Sequence, residues 1–194
     1  MRYNKTMQNE ELQSKKRAIE LYDSGKINDF EVGTTRGLQQ IHHFLFQDVF
    51  DFAGEIRNVD LAKGNFRFAP AMYLKNTLKT IDSLPDNTYD EVIKKYVEMN
   101  VAHPFREGNG RATRIWLDQM LKKNLGKCVD WSKVEKSAYL SAMERSPIND
   151  LEIKTLLKSA LTSDINSREV YMKGIQSSYE YEEQSSYDVH DLSA

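Results

Sequence analysis

Hydrophobic residues recur at helical spacing along most of the chain. In the segment EVGTTRGLQQIHHFLFQDVF, four of them lie on one stripe, three or four residues apart: Leu38, Ile41, Leu45 and Val49. The earlier segment NEELQSKKRAIELYDSG predicts a helix that ends near Gly25, where a left-handed cap is easily adopted. Because only four prolines interrupt the 194 residues, the pattern predicts an all-α fold.

Two further helices are expected to begin at polar capping signals. Thr88 is followed three residues later by Glu91, and Asn149 by Glu152, which is the spacing of a capping box. Apolar residues then follow each signal at helical spacing: Val92, Ile93, Tyr96 and Val97 after the first, and Ile153, Leu156, Leu157, Ala160 and Leu161 after the second.

One region alternates instead of following the helical period. In RNVDLAKGNFRFAP, Phe66 and Phe68 would share one face of a short strand, and Gly64-Asn65 offers a tight turn. The expected fold is therefore all-α with one small β-hairpin at about residues 57–70.

Composition and charge exclude several classes of protein. The chain has 27 lysines and arginines against 29 acidic residues, so no global basic field indicates nucleic-acid binding. No apolar run is long enough to span a bilayer, and the N-terminal MRYNKTMQNEELQSKK lacks the apolar core of a signal peptide. The single cysteine, Cys128, excludes an internal disulfide and is expected to be a small buried residue. We expect one domain in a reducing, cytoplasmic compartment.

The stretch HPFREGNGRATRIW combines one histidine, one acid, two glycines, one asparagine and three arginines. A residue before proline is driven out of the helical region, so Pro104 should end the preceding helix and leave His103 at its exit. Gly108 and Gly110 would each cost about 1 kcal/mol inside a helix. Since the apolar pattern resumes after Arg111, the stretch predicts a loop that leads into a helix N-terminus.

Such a helix start can bind an anion. Its first N–H groups are unpaired, the helix dipole is positive there, and glycines let the backbone approach closely. Arg111 and Arg114 add charge on one helix face, and phosphate fits such a site best. Glu107 would repel phosphate unless a divalent cation such as Mg²⁺ lay between them. His103 would then be a titratable base at the edge, although any one of these residues is also explained by an ordinary turn.

These residues resemble the signature of Fic-domain proteins. HPFREGNGR matches the pattern H-x-F-x-(D/E)-G-N-G-R without a departure, and Arg114 matches the second arginine of the family. The segment LQQIHHFLFQDVFDFAGEIR resembles the helix and turn before the family's hairpin, the flap, and KGNFRFAP resembles the flap itself. The C-terminal SSYEYEE is similar to the inhibitory motif (S/T)-x-x-x-E-(G/N), with Ser178 and Glu182 in the defining places. Glu183 departs from that motif, since the family has Gly or Asn there.

The resemblance implies a Fic-type helical domain and a protein adenylyltransferase. Such an enzyme transfers AMP from Mg²⁺-ATP to a Tyr, Thr or Ser hydroxyl of a target protein and releases pyrophosphate. By the same resemblance, His103 is the general base, Glu107 the Mg²⁺ ligand and Arg114 the clamp on the γ-phosphate. The phosphate cradle comprises Gly108, Asn109, Gly110 and Arg111, and Phe105 anchors the loop. The flap would hold an extended target segment by main-chain pairing, with Lys63, Gly64, Phe66 and Phe68 as its docking residues.

The chain is expected to divide into a core and a regulatory part. The core comprises residues 1–164 with the flap, and residues 165–194 form an inhibitory helix and a polar tail. Ser178 and Glu182 are four residues apart and would share a helix face. Glu182 is therefore expected to pair with Arg114 and to inhibit the enzyme.

Other functions stay open. Removal of AMP would use the same site, with Glu182 positioning water; phosphoryl transfer is disfavoured because phosphorylating relatives carry lysine where this chain has Gly110. A non-enzymatic, nucleotide-responsive module of a toxin–antitoxin pair would have no use for the base His103. The expected partners are ATP and a target protein, and a homo-oligomer is left open; neither nucleic acid nor a membrane is expected. Packing is the expected role of Tyr171 and a solvated position that of Tyr187, with self-modification as the alternative.

Overall fold

Helices account for most of residues 2–193, which are the residues that the structure, a computed structural model, describes. Its α-helices are α1 (Arg2–Asp23), α2 (Thr35–Phe46), α3 (Ala71–Asp82), α4 (Tyr89–Ala102), α5 (Asn109–Leu125), α6 (Lys136–Arg145), α7 (Leu151–Ser159), α8 (Arg168–Glu180) and α9 (Val189–Leu192). Two 3₁₀ turns, Lys26–Asp29 and Trp131–Lys133, complete the helical elements. The predicted all-α class is confirmed; residues 1 and 194, the outer ends of the predicted division, lie outside the described range.

The predicted hairpin is present between α2 and α3. Strand β1 (Ala62–Lys63) pairs antiparallel with β2 (Phe66–Arg67), and the register pairs Ala62 with Arg67 and Lys63 with Phe66. The turn between them therefore consists of the two residues 64 and 65, as the sequence predicts. Both strands are exposed or only half-buried, so this hairpin, the flap, projects from the helices.

A second antiparallel pair of strands was not predicted. Strand β3 (Cys128–Val129) pairs antiparallel with β4 (Leu161–Thr162), although the apolar spacing had placed Leu161 in the preceding helix. The helix ends earlier, because α7 stops at Ser159 and the chain then pairs with a strand far away in sequence. Cys128 is buried there, as expected, and burial raises the pKa of its thiol to about 11.

The two capping predictions had different outcomes. At α4 the box is confirmed: the Glu91 N–H donates to the Thr88 hydroxyl at 3.3 Å, and the Thr88 N–H donates to the Glu91 carboxylate at 3.2 Å. At α7 it is wrong, because Asp150 is the N-cap residue and Glu152 instead pairs with Arg145 at 2.6 Å. Arg145 ends α6 and lies close enough to take that carboxylate away from the helix start.

Helix α5 forms the centre of the core and thereby fixes the position of its own N-terminus. It packs against α2, α4 and α8, and its side chains Trp116, Leu117, Met120 and Leu121 are fully buried. The predicted stripe of α2 is buried against it, except that Val49 lies beyond the helix and is half-buried. No helix within residues 2–193 has both the length and the apolar character needed to cross a membrane.

The C-terminal tail is less solvated than expected. Gln184 and Val189 are buried, and the Lys15 ammonium of α1 donates to the Tyr187 carbonyl group at 2.6 Å. Tyr171 packs as expected: its ring stacks on Tyr22 with the centroids 4.6 Å apart. The tail thus closes over α1 and α8, which brings the residues after α8 to the start of α5.

Candidate active site

The loop between α4 and α5 is fixed in place by buried side-chain contacts and hydrogen bonds. His103 caps α4 in the left-handed conformation (φ 49°, ψ 65°), immediately before Pro104. Phe105 is fully buried, and its ring stacks on that of His42 with the centroids 3.8 Å apart. The Asn109 side chain closes the loop, because it accepts from the Phe105 N–H at 2.9 Å and donates to the Phe105 carbonyl group at 2.7 Å. Phe105 therefore anchors the loop, as the sequence indicated.

The imidazole of His103 is neutral at physiological pH. Its ring lies flat against the flap residue Phe68, with the centroids 3.7 Å apart and an interplanar angle of 12°. Burial lowers the pKa of His103 to about 4, and the positive charge of Arg57 acts in the same direction. The backbone of Asn100 and the charge of Glu182 oppose this shift without reversing it. A neutral imidazole can accept a proton, which is the state a general base needs.

The N-terminus of helix α5, from Gly108 to Arg111, has the features of an anion-binding site, which we call the anion cradle. Gly108 is its N-cap residue with a φ of 81°, and no side chain caps the first turn. A Cβ atom on Gly108 would lie 2.5 Å from the Phe46 ring, so glycine is required by conformation and by space. A Cβ atom on Gly110 would lie 2.5 Å from the Glu182 carboxylate. That carboxylate therefore lies beside the first turn of α5, close to the end of the helix where the dipole favours an anion.

Arg114 binds the two residues of the inhibitory motif. Its guanidinium, buried with 3% of Arg114 exposed, donates to the Ser178 hydroxyl at 2.8 Å and to the Ser178 carbonyl group at 2.9 Å. It also pairs with the Glu182 carboxylate at 2.9 Å, which is the contact that the sequence predicts. The rings of Tyr139 and Tyr181 flank the guanidinium, whose centre is 5.6 and 5.3 Å from their centroids. Burial alone would raise the pKa of Glu182, but the charge of Arg114 and its hydrogen bond lower it below the usual value. The Glu182 carboxylate is therefore ionised.

Arg111 contacts residues from both ends of the chain. Its guanidinium pairs with Glu10 of α1 and donates to the Gln184 side chain at 2.8 Å. It lies over the Phe46 ring, 4.7 Å from the centroid. The carboxylate of Glu107 is farther away, at 3.7 Å. Both signature arginines are thus buried, and each pairs with a glutamate from another part of the fold.

Glu107 offers a single carboxylate beside the cradle. Its side chain is 63% exposed, and it accepts only from the neighbouring Gly108 N–H, at 3.1 Å. Among residues 2–193 no group of three or more His, Cys, Asp and Glu side chains is placed to hold a metal ion. His42 and His43 make separate contacts, with the carbonyl groups of Glu107 and Ala53. One exposed carboxylate suits a cation such as Mg²⁺, which keeps several water ligands and is bound by one or two carboxylates together with phosphate oxygens.

The predicted docking residues of the flap divide into two groups. Lys63 and Gly64 are exposed, and Phe66 is half-buried. Phe68 instead covers the imidazole of His103, and its ring centroid is 5.0 Å from that of Phe66. Phe68 therefore packs against the His103 imidazole and is not part of a free docking edge.

The end of α8 explains why Glu183 is an unusual residue in its position. The helix ends at Glu180, and the following turn has the hydrogen bonds of a Schellman motif: Gln184 N–H to the Tyr179 carbonyl at 2.9 Å, and Glu183 N–H to the Glu180 carbonyl at 3.0 Å. Glu183 has a φ of 60° in this turn, a conformation that favours glycine or asparagine. Glu182 immediately precedes it, so the turn directs the Glu182 carboxylate toward Arg114.

Several residues of the site were missed by sequence reasoning. They are Glu10, His42 as an anchor of the loop, Arg57, Tyr139 and Gln184. Glu10 and Gln184 lie 101 and 73 positions from Arg111, and no local pattern marks either of them. Arg57 ends the segment that resembles the family, but its contacts depend on how the flap folds back.

Fold and site together define a helical domain whose phosphate cradle is covered by its own glutamate. The sequence profile of the Fic/DOC family matches residues 33–121, which include the whole loop and the start of α5. The Escherichia coli K12 protein named "Probable protein adenylyltransferase Fic" is 32% identical over 143 residues, which is 68% of this chain and 71% of that protein. This chain belongs to the Fic/DOC family.

Further relatives agree with this assignment. The protein adenylyltransferase VbhT of Bartonella schoenbuchensis is 31% identical over 170 residues, which is 77% of this chain but 35% of that longer protein. The solved structure of BepC from Bartonella tribocorum, with bound AMPPNP, has a TM-score of 0.68 at 21% identity and covers 82% of this chain and 87% of that one. The FIC domain of Bep8 from Bartonella sp. 1-1C has a TM-score of 0.70 at 20% identity, over 85% of this chain and 88% of that one. At these identities the two structures support the fold alone.

Glu183→Gly should raise the free energy of unfolding by about 1 kcal/mol, because glycine adopts the left-handed conformation without a Cβ penalty. Denaturant unfolding measures this. Glu183→Ala is the matched control, since it removes the same exposed carboxylate but keeps the strained backbone, and it should give no such gain. Equal stabilisation by alanine and glycine would show that charge, and not conformation, makes Glu183 unfavourable.

Proposed function

We propose that this Fic-family adenylyltransferase transfers AMP from Mg²⁺-ATP to a Tyr, Thr or Ser hydroxyl of a target protein and is held inactive by Glu182. The names of its curated relatives support the class of transfer, and the AMPPNP bound to BepC supports ATP as the donor. The observation that carries the proposal is the neutral His103 imidazole beside an anion cradle that an internal carboxylate covers.

His103 takes the proton of the target hydroxyl in this proposal. The hydroxyl oxygen then forms a bond to the α-phosphorus of ATP, the bond from that phosphorus to the bridging oxygen breaks, and pyrophosphate leaves with the electron pair. The N–H groups of Asn109, Gly110 and Arg111, in the first turn of α5, would hold the phosphates while this happens. Glu107 would hold Mg²⁺, which when bound neutralises negative charge on the phosphates.

The flap holds the target segment. Its strand edges are exposed at Lys63 and Gly64, and an extended segment can pair with such an edge through main-chain hydrogen bonds. This mode of docking needs no fixed target sequence. Because Phe68 connects the flap to the His103 ring, a segment that pairs with the flap lies beside the base.

Inhibition follows from competition for Arg114. The γ-phosphate of ATP needs this guanidinium, and Glu182 already occupies it in a site where little solvent screens the pair. The Glu182 carboxylate also lies over Gly110, where a phosphate oxygen would bind the helix start. ATP that enters while Glu182 is in place therefore binds without its γ-phosphate on Arg114, in a pose unsuited to transfer.

A cell lysate with labelled ATP distinguishes this function from the alternatives. Label transferred to protein from the α-phosphate supports AMP transfer, whereas label from the γ-phosphate would indicate a kinase. Transfer from neither position, in the active variant described below, would leave a nucleotide-binding module. Release of AMP from labelled proteins by the wild type would indicate that the site removes AMP instead.

His103→Ala should reduce AMP transfer by about 10²–10⁴-fold, the usual effect of removing a general base, while ATP binding persists. The comparison is made in a Glu182→Gly background, with label transfer and calorimetric ATP binding measured on the same preparations. His43→Ala is the matched control, because His43 is exposed and its ring hydrogen-bonds to the Ala53 carbonyl group, away from the loop of the candidate site. Turnover of the His103→Ala enzyme near that of its parent would remove His103 from the mechanism.

Glu182→Gly should raise AMP transfer by about tenfold or more, because loss of one buried ion pair is enough to shift a two-state equilibrium that far. Initial rates of α-label transfer measure the change. Glu183→Gln is the matched control: it removes the neighbouring carboxylate, which is 86% exposed and does not contact Arg114, and it should leave the rate unchanged. Equal rates for the wild type and Glu182→Gly across a range of protein concentrations would show that Glu182 does not inhibit.

A further inference from the structure

Arg57 is a buried arginine between the flap and the loop of the candidate active site, with 3% of its surface exposed. Its guanidinium donates four hydrogen bonds, each to a main-chain carbonyl oxygen. The acceptors are Val59 at 2.7 Å, Ala69 at 2.6 Å, Ala102 at 2.9 Å and His103 at 2.6 Å. Four carbonyl dipoles thus surround this charge, in a fork geometry that only a guanidinium can satisfy.

Two of these acceptors flank the strands of the flap in the sequence. Val59 lies before β1 and Ala69 lies after β2, so one guanidinium joins the chain where it enters the flap to the chain where it leaves. Main-chain bonds continue the connection, because the Ala69 N–H donates to the Val101 carbonyl group at 3.0 Å and the Arg57 N–H donates to that of Pro104 at 2.9 Å. The flap is therefore tied to the end of α4.

The other two acceptors belong to His103, the proposed base, and to the residue before it. The carbonyl groups of Ala102 and His103 lie at the C-terminal end of α4, where carbonyls lack helical partners and the dipole favours a positive charge. His103 is in a left-handed conformation, which persists for a non-glycine residue only where its surroundings hold it. Arg57 helps to stabilise this conformation, because it donates a hydrogen bond to the His103 carbonyl group. The imidazole of the same residue stacks on the flap.

We propose that Arg57 is a positioning residue that fixes the distance between the flap and the His103 imidazole, so that a hydroxyl docked on the flap arrives at the base. This inference rests on the proposed function, in which His103 is the base and the flap holds the target. Arg57 touches neither ATP nor the cradle in this arrangement. Its loss therefore acts on the transfer step and not on nucleotide binding.

The test uses full-length Glu182→Gly protein as the active parent, with Arg57→Gln and Arg57→Lys added to it. Three quantities are measured on folded protein: transfer of α-label from ATP to lysate proteins, the affinity for ATP by calorimetry, and titration of the His103 imidazole by NMR. Arg17→Lys is the control for a generic arginine change, because Arg17 makes an exposed ion pair with Asp48.

Arg57→Gln should reduce transfer by about 10²-fold, the loss expected when reacting groups are misplaced by about 1 Å. ATP affinity should be unchanged, and the His103 imidazole should titrate at a higher pH because a nearby positive charge is gone. Arg57→Lys keeps the charge, so the titration should stay near that of the parent. Transfer should still fall, though less, because one ammonium group cannot serve all four carbonyl groups.

Parental transfer rates in both folded variants would overturn the proposal, and so would a loss of transfer matched by an equal loss of ATP affinity. If Arg57→Gln does not fold, Arg57→Lys decides by the same criteria. Failure of the proposed function is separate: it would appear as no α-label transfer by the Glu182→Gly parent itself. In that case the proposal falls with the function on which it rests.

Discussion

Two buried positive charges at the start of α5 are the constraint on which the rest of the site depends. Arg111 and Arg114 are each 3% exposed and lie at the positive end of the helix dipole. A buried charge without a partner is costly, so each guanidinium needs an anion in every state of the protein. In this structure two glutamates supply it: Glu10 from α1 and Glu182 from the turn after α8.

This requirement connects the fold to the regulation that we propose. The ion pairs hold the first helix and the C-terminal turn on α5, and in the proposed function the ATP phosphates bind the same guanidinium groups. A γ-phosphate that displaces Glu182 leaves Arg114 paired, so the exchange replaces one anion by another in an unchanged cradle. Arg57 meets the same constraint differently, because its charge is surrounded by main-chain carbonyl groups and therefore has no competing ligand.

Sequence reasoning succeeded where a contact is local and failed where it is not. The capping box at Thr88 and the two-residue turn of the flap each involve a few residues, and the structure contains both. Ser178 and Glu182 do contact Arg114, but Glu182 lies in the turn after α8 and not on the helix face that the spacing predicted. Glu10 reaches Arg111 only because α1 packs across the fold, and the β3–β4 pairing was missed because Leu161 continues the spacing of α7. Such contacts are set by packing between segments distant in sequence, which no periodicity records.

The most direct test of competition for Arg114 is a cycle of nucleotide affinities measured by calorimetry at constant Mg²⁺. ATP and ADP are each titrated into the wild type and into Glu182→Gly. ADP has no γ-phosphate, so removal of Glu182 should strengthen the binding of ATP more than that of ADP, by a further factor of about ten for one charged contact regained. Equal changes for ATP and ADP would contradict the account, because Glu182 would then not compete with the γ-phosphate for Arg114.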